Sequence, residues 1–340
     1  VLFRSLWRWF TVPGDPSKPF EDASMEAAAK TWDPAGKYWL NGGGGTPWDT
    51  ITYDPELNMV YVGTGNGAPW NRKIRSPSGG DNLYLASLVA LNADTGKYIW
   101  HYQETPGDNW DYTSTQPMIL ADLTIEGAPR KVILHAPKNG FFFVVDRTNG
   151  KFISAKNFVD VNWATGYDAN GRPIEVPAAR GDAPYDAVPG PYGAHNWHPM
   201  SFNPQTGLAY ANTLAFGGKY KSEPATFKQG EWYVGMDLTD PWEWGTGPRG
   251  HLKAIDPMTG KPQVDNKNPN PSLANRPIIG LSLFSAMQPV AAGKWSGQIY
   301  NADDGGTYAS SVSVTSESTL RVEGCVGALC GGETWTRVGR

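Results

Sequence analysis

Five short stretches of this chain gather side chains that can do chemistry. Gly63-Thr64-Gly65-Asn66-Gly67-Ala68-Pro69-Trp70 sets an amide between glycines at the end of an apolar run. An Asn oxygen in such a turn can ligate a hard cation such as calcium, and Asn-Gly is equally an ordinary turn pair. Thr105-Pro106-Gly107-Asp108-Asn109-Trp110-Asp111-Tyr112 puts two carboxylates among aromatic rings. Partial desolvation there raises a carboxyl pKa and suits it to general-base work, with a structural turn carboxylate as the alternative. His135-Ala136-Pro137-Lys138-Asn139-Gly140 ends an apolar strand in a lysine that can pair with an anionic ligand or stand in solvent. Gly193-Ala194-His195-Asn196-Trp197-His198-Pro199 holds two histidines at the i, i+3 spacing of a metal pair, without a further His, Cys or Glu cluster beside them. In Gly42-Gly43-Gly44-Gly45-Thr46-Pro47-Trp48-Asp49, four glycines permit positive φ and close approach of backbone to a ligand, and Trp48 can be a stacking wall.

The elements that must position these stretches are strands. The 340 residues include 40 Gly and 28 Pro, which break long helices, and 12% aromatics, which suit half-buried pleated surfaces. One turn phrase recurs four times, as Asn92-Ala93-Asp94-Thr95-Gly96, Asp146-Arg147-Thr148-Asn149-Gly150, Asn203-Pro204-Gln205-Thr206-Gly207 and Asp256-Pro257-Met258-Thr259-Gly260. The glycines fall 54, 57 and 53 residues apart, and a looser copy runs from Asp54 to Asn58. Each copy is flanked by apolar runs, so the unit is strand, tight turn, strand. A period of that size leaves room for about four short strands, the size of a β-propeller blade. Coincidental turns in a β-sandwich are the competing reading. The pattern stops near Gly260, and shorter alternating runs from Ile278 onward predict a separate antiparallel unit. The expected division is therefore 1–261 and 262–340, all-β throughout. A net charge of −4 gives no footprint for nucleic acid, and no apolar run is long enough to span a membrane. Cys325 and Cys330 are either a local hairpin disulfide or two free thiols. The start, Val1-Leu2-Phe3-Arg4-Ser5, has neither an initiator Met nor the order of a signal peptide, and the chain reads as a fragment or processed form.

Taken together and in this order, the five stretches, with Thr11-Val12-Pro13-Gly14-Asp15-Pro16 before them and Met200-Ser201-Phe202-Asn203-Pro204 after, resemble the quinoprotein alcohol dehydrogenases over residues from about 7 to 250. Those are periplasmic eight-bladed β-propellers that use pyrroloquinoline quinone (PQQ) and a calcium ion. The resemblance implies a partial propeller of about four to five blades that oxidises primary alcohols to aldehydes by hydride transfer to PQQ, with calcium as Lewis acid. It implies Asp111 as catalytic base and Asn66 and Asp111 as metal ligands. Trp48 would stack on the quinone with Thr46 beside it as a donor, Lys138 would be the cation at the quinone carbonyls, and Asn196 with Trp197 would line the far side. The histidine pair then needs no metal. An alcohol substrate, a cytochrome c electron acceptor and a periplasmic location follow from the same resemblance.

The departures are expectations too. In the family a calcium-binding Glu and a vicinal disulfide lie before the point where this sequence begins, further blades follow Gly260, and no haem-attachment motif is present here. From about 262 to 340 the sequence instead resembles the latter half of a family of small exported bacterial proteins of unknown function, so the chain reads as a chimera. The alternative function is a non-catalytic propeller fragment that binds a ligand or partner.

Overall fold

Tight turns organise the chain. In the computed structural model, which describes residues 5–180, 183–237, 250–260, 264–278, 281–327 and 329–337, all four repeated phrases close in the same way. The glycine N–H donates to the carbonyl four residues back, Gly96 to Asn92, Gly150 to Asp146, Gly207 to Asn203 and Gly260 to Asp256, each at 2.8 or 2.9 Å. The first side chain accepts from the main-chain N–H two residues on, at Asp94, Thr148, Gln205 and Met258. The glycines hold φ between 66° and 74°, a conformation that costs any residue with a Cβ. In the looser copy Asn58 takes that seat at φ 51°, and Asp54 Oδ1 accepts from Glu56 N–H at 3.0 Å.

Chain contacts divide the protein into two compact units, Val1–Lys261 and Pro262–Arg340. In the first, β1 (Ile51–Asp54), β2 (Met59–Gly63), β3 (Ser87–Asn92) and β4 (Tyr98–Gln103) form one antiparallel blade in sequence order. A second blade follows from β5 (Ile119–Ile125), β6 (Ala128–His135), β7 (Phe141–Asp146) and β8 (Phe152–Asn157). The hairpin β9 (Ala164–Tyr167) and β10 (Pro173–Glu175) comes next, then β11 (Tyr185–Ala187). A third blade contains β12 (Ser201–Asn203), β13 (Leu208–Leu214) and β16 (Gly250–Ile255), three strands among the described residues where four were expected, while β14 (Gly218–Ser222) and β15 (Met236–Asp237) extend β11 into a small sheet. Helix among the described residues is confined to α1 (Ala23–Ala29), α2 (Arg72–Arg75) and three single 3₁₀ turns.

The blades stack face to face, and the two-residue period of a strand decides what each face touches. Along β7, which is buried throughout, Phe141, Phe143 and Val145 pack with Tyr61, Leu88, Ala90 and Trp100 of the first blade. Phe142 and Val144 turn the other way, against Ala209, Ala211 and Ile255 of the third. The outer face of the first blade is covered by Met25 and Ala28 of α1 with Trp7, Trp9 and Phe10. An antiparallel meander puts alternate connections at opposite ends. The Asx-Gly turns therefore share one end, and the loops carrying Asn66, Asp111 and Lys138 share the other.

His101, on β4, links burial to pH. Tyr98 Oη lies 2.7 Å from its Nδ1, and burial pulls the imidazole down to about 4. An unfolded chain takes up that proton near pH 6.5. The contribution is thus present above pH 6.5 and lost as pH falls toward 4, up to about 3 kcal/mol. Thermal melts at pH 7 and 4.5 should show the loss, and His101→Gln should reduce it, the buried His195, also pulled down to about 4, supplying the remainder; an unchanged slope in the variant would refute the assignment.

The second unit is a five-stranded antiparallel meander, β17 (Phe284–Ala291), β18 (Lys294–Asn301), β19 (Gly306–Ser316), β20 (Thr319–Val326) and β21 (Leu329–Thr336). Cys325 pairs with Cys330 across β20 and β21 as a disulfide, so the hairpin alternative holds over free thiols. Ahead of the sheet, the buried Asp265 carboxylate accepts from Tyr300 Oη at 2.5 Å, Asn268 Nδ2 at 2.8 Å and Arg276 Nε at 2.9 Å.

Candidate active site

Asp111 stands in the β4–β5 loop with φ 65°, a left-handed conformation uncommon for a side-chain-bearing residue and typical of functional turns. The turn is built by Asp108, whose Oδ1 accepts from Trp110 N–H at 3.1 Å and Tyr112 N–H at 3.0 Å. Beneath it the rings of Trp110, Tyr112 and Trp163 form one cluster with centroids 5.1 to 5.5 Å apart. Lys138, in the β6–β7 loop, brings its Nζ to 2.6 Å from Asp111 Oδ2. The glycine at 193 is what admits the lysine stem, since a Cβ there would lie 2.4 Å from Lys138 Cγ. Burial pushes the Asp111 carboxyl up to about 6, while the Lys138 charge pulls against that rise. A carboxylate that is buried, paired and near neutrality is suited to accepting a proton.

A cavity of about 590 Å³ opens over this pair, lined by Asn66, Asp111, Lys138 and Asn196 together with Trp70, Tyr192 and Trp232. Four of the residues expected at the site thus meet in one place. Asn66 is held from the β2–β3 loop, its carbonyl accepting from Gly45 N–H at 2.8 Å and its Nδ2 donating to Gly67 O at 3.1 Å. Asn196 donates from Nδ2 to Tyr192 O at 3.0 Å. The other three expected residues do not line the cavity. Thr46 is exposed, Trp48 is 44% exposed and Trp197 is 64% exposed. The strand bridge from Gly44 to Gly67 ties the segment of Thr46 and Trp48 to the Asn66 loop, and Trp197 follows the cavity-lining Asn196 in sequence. The histidine pair binds no common ligand: His195 is buried with its ring nitrogens 2.6 Å from Ala136 O and 3.0 Å from His198 O. No group of three His, Cys, Asp or Glu suited to a metal occurs among the described residues.

Several neighbours carry no mark in the sequence. Lys219 adds a second cation to the cavity wall. Arg75 is fully buried beside the site, and burial pulls its guanidinium down to about 9 against the opposing charge of Asp108.

The donors can be weighed against a quinone and a hard cation. The volume is that of a small-molecule site, and two lysines suit a planar anion. For calcium, Asn66 and Asp111 supply an amide and a carboxylate, the right atoms but only two of the six to eight such an ion takes.

Residues 4–161 match the family described as the glucose/ethanol/alcohol dehydrogenase beta-propeller domain. This segment is similar to the propeller domain of the PQQ-dependent dehydrogenases. Residues 241–337 match a second family, an uncharacterised protein conserved in bacteria. The quinohemoprotein alcohol dehydrogenase of Comamonas testosteroni is 79% identical over 205 residues, 60% of this chain and 29% of that protein. The 1-butanol dehydrogenase (cytochrome c) of Thauera butanivorans is 53% identical over 268 residues, 73% of this chain and 38% of that protein. In three dimensions the Comamonas testosteroni enzyme superposes with a TM-score of 0.74 at 51% identity, covering 94% of this chain and 50% of that one. A europium-containing methanol dehydrogenase gives 0.64 at 29% identity, covering 87% and 53%. The chain therefore spans half or less of the curated relatives it matches here, and these relatives are oxidoreductases that act on alcohols.

Proposed function

We propose that the first unit is the catalytic portion of a PQQ-dependent alcohol dehydrogenase that converts primary alcohols to aldehydes, with Asp111 as general base. The observation that carries this reading is the partly buried Asp111–Lys138 pair in the cavity wall. When bound there, PQQ would supply a two-electron acceptor for the α-hydride and calcium a Lewis acid on its carbonyl. Asp111 accepts the hydroxyl proton of the alcohol at Oδ2, breaking its contact with Lys138 as it is neutralised. Lys138 keeps its positive charge at the wall, where it would stabilise negative charge on a bound acceptor. Trp70 and Tyr192 offer ring faces for the alcohol chain to pack on, and Asn66 and Asp111 offer oxygens to the cation. Trp48, Thr46, Asn196 and Trp197 are assigned to the cofactor's surroundings, a cytochrome c to electron removal and the periplasm as the location.

The test is reconstitution with PQQ and calcium followed by dye-linked oxidation of primary alcohols, in which turnover above the cofactor-only background is expected. Calcium affinity is a separate measurement. With one carboxylate in the donor set, a Kd of about 10⁻⁴ to 10⁻³ M is expected by calorimetry, and a micromolar value would require ligands other than Asn66 and Asp111. A second reading, a non-catalytic binding fragment, is favoured by the exposure of Trp48 and Trp197. Saturable quinone binding without turnover would select it.

A further inference from the structure

Arg75 closes α2 with a side chain that is 1% exposed. A buried guanidinium is costly to desolvate, and an apolar residue would pack such a space at lower cost. All three of its nitrogens are engaged. Nε donates to Asn82 Oδ1 at 3.0 Å, and Nη1 donates to Pro69 O at 2.7 Å and to Trp70 O at 2.6 Å. Nη2 donates to the carbonyl oxygen of Asp108. Pro69 and Trp70 belong to the loop that carries Asn66, and Asp108 belongs to the loop that carries Asp111. The guanidinium also lies against Gly67, where a Cβ would come 2.4 Å from Arg75 Cζ. Only glycine at 67 leaves room for it.

Each link onward is short. The Asp108 carboxylate holds the N–H groups on either side of Asp111, so fixing Asp108 fixes the left-handed turn. From the opposite side Arg180 donates to Pro106 O at 2.7 Å and Gly107 O at 2.6 Å, with its guanidinium 4.5 Å above the Trp110 ring. Two arginines thus grip three consecutive carbonyls, and Arg75 is the one that also reaches the Asn66 loop. A lysine has one nitrogen with three donors and lacks the rigid fork that serves these four acceptors from three separate nitrogens.

We propose that Arg75 is a positioning residue, its guanidinium joining the Asn66 loop to the Asp111 loop and setting the spacing of these two groups across the cavity. The functional importance of that spacing rests on the dehydrogenase reading; the joining of the loops does not.

The experiment compares wild type, Arg75→Lys and Arg147→Lys, the last being a control. Arg147 is also buried but serves an ion network at the turn end, with Nη2 2.8 Å from Glu56 Oε2. Backbone hydrogen exchange is measured over residues 66–71, 107–113 and the core strand β7. Arg75→Lys should speed exchange in both loops about tenfold or more with β7 unchanged, a local opening rather than global unfolding. Arg147→Lys should leave the two loops as they are. With PQQ and calcium present, Arg75→Lys should lower kcat while the alcohol KM stays within about threefold, since geometry rather than binding is lost. Wild-type exchange in either loop of the Arg75 variant, or acceleration that extends equally into β7, overturns the proposal. If wild type binds neither quinone nor calcium, the dehydrogenase reading fails, and the exchange pattern still decides whether Arg75 joins the loops.

Discussion

Asp111→Asn is expected to lower alcohol oxidation by at least about 10²-fold at saturating quinone and calcium, the low end of what a general base contributes. Asparagine keeps the shape and the left-handed turn, which it tolerates well, and removes the negative charge and with it the capacity to accept a proton. Lys138, 7% exposed at its side chain, would then face a neutral amide at 2.6 Å instead of a carboxylate. A buried cation without its partner is destabilising, so a lower melting temperature should accompany the loss of rate. The two effects separate in the double variant Asp111→Asn, Lys138→Met, which removes the stranded charge and should recover stability without recovering turnover. Equal rates in wild type and Asp111→Asn would mean that any oxidation seen is unspecific quinone chemistry.

Trp163→Ala should be the most damaging substitution for the fold, at about 3–5 kcal/mol. Its ring is fully buried, stands 5.1 Å from Trp110 and 5.5 Å from Tyr112, and its indole N–H donates to Asn139 O at 2.8 Å. Truncation opens a cavity beneath the Asp111 turn and leaves that carbonyl without its donor. For a unit of this size the melting temperature should fall by about 10 °C, and Trp163→Phe should recover much of it because ring volume is largely kept. A melt of the alanine variant within about 2 °C of wild type would show that the loop does not rest on this cluster.

How far the sequence discloses this arrangement depends on how local each interaction is. The Asx-Gly turns are legible because their chemistry is complete within five residues: an acceptor side chain at Asn92 or Asp256 and a left-handed glycine four positions on. Asn66, Asp111, Lys138 and Asn196 carry little meaning one at a time, and become a site through an order of motifs that the meander then delivers to one end. Trp48 and Trp197 show the limit of that route, since a motif places a side chain near a site without stating how exposed it is. Arg75 lay beyond it. Within Arg72-Lys73-Ile74-Arg75 it reads as one more solvated charge, and its burial is decided by carbonyls as far as 33 residues away. Main-chain acceptors leave no trace in side-chain composition. The third blade was legible as a period, and three of its strands lie among the described residues.

The division of each blade into a turn end and a loop end also bears on how such a chain can change through descent. At the turn end a handful of Asn, Asp and Gly positions close each hairpin within five residues, whereas the loops opposite add large buried side chains such as Trp110, Tyr112 and Trp163 to the core. Drift at the loop end is therefore constrained twice, by the cavity and by the core, while a turn closed by its own hydrogen bonds asks only for its Asx and Gly positions. The same polarity makes a turn a tolerant place for genetic joining: the last Asx turn, at Asp256 to Gly260, completes its own hydrogen bonds before the boundary between the two units at Lys261 and Pro262. Whatever follows such a turn inherits no unfinished local structure from what precedes it.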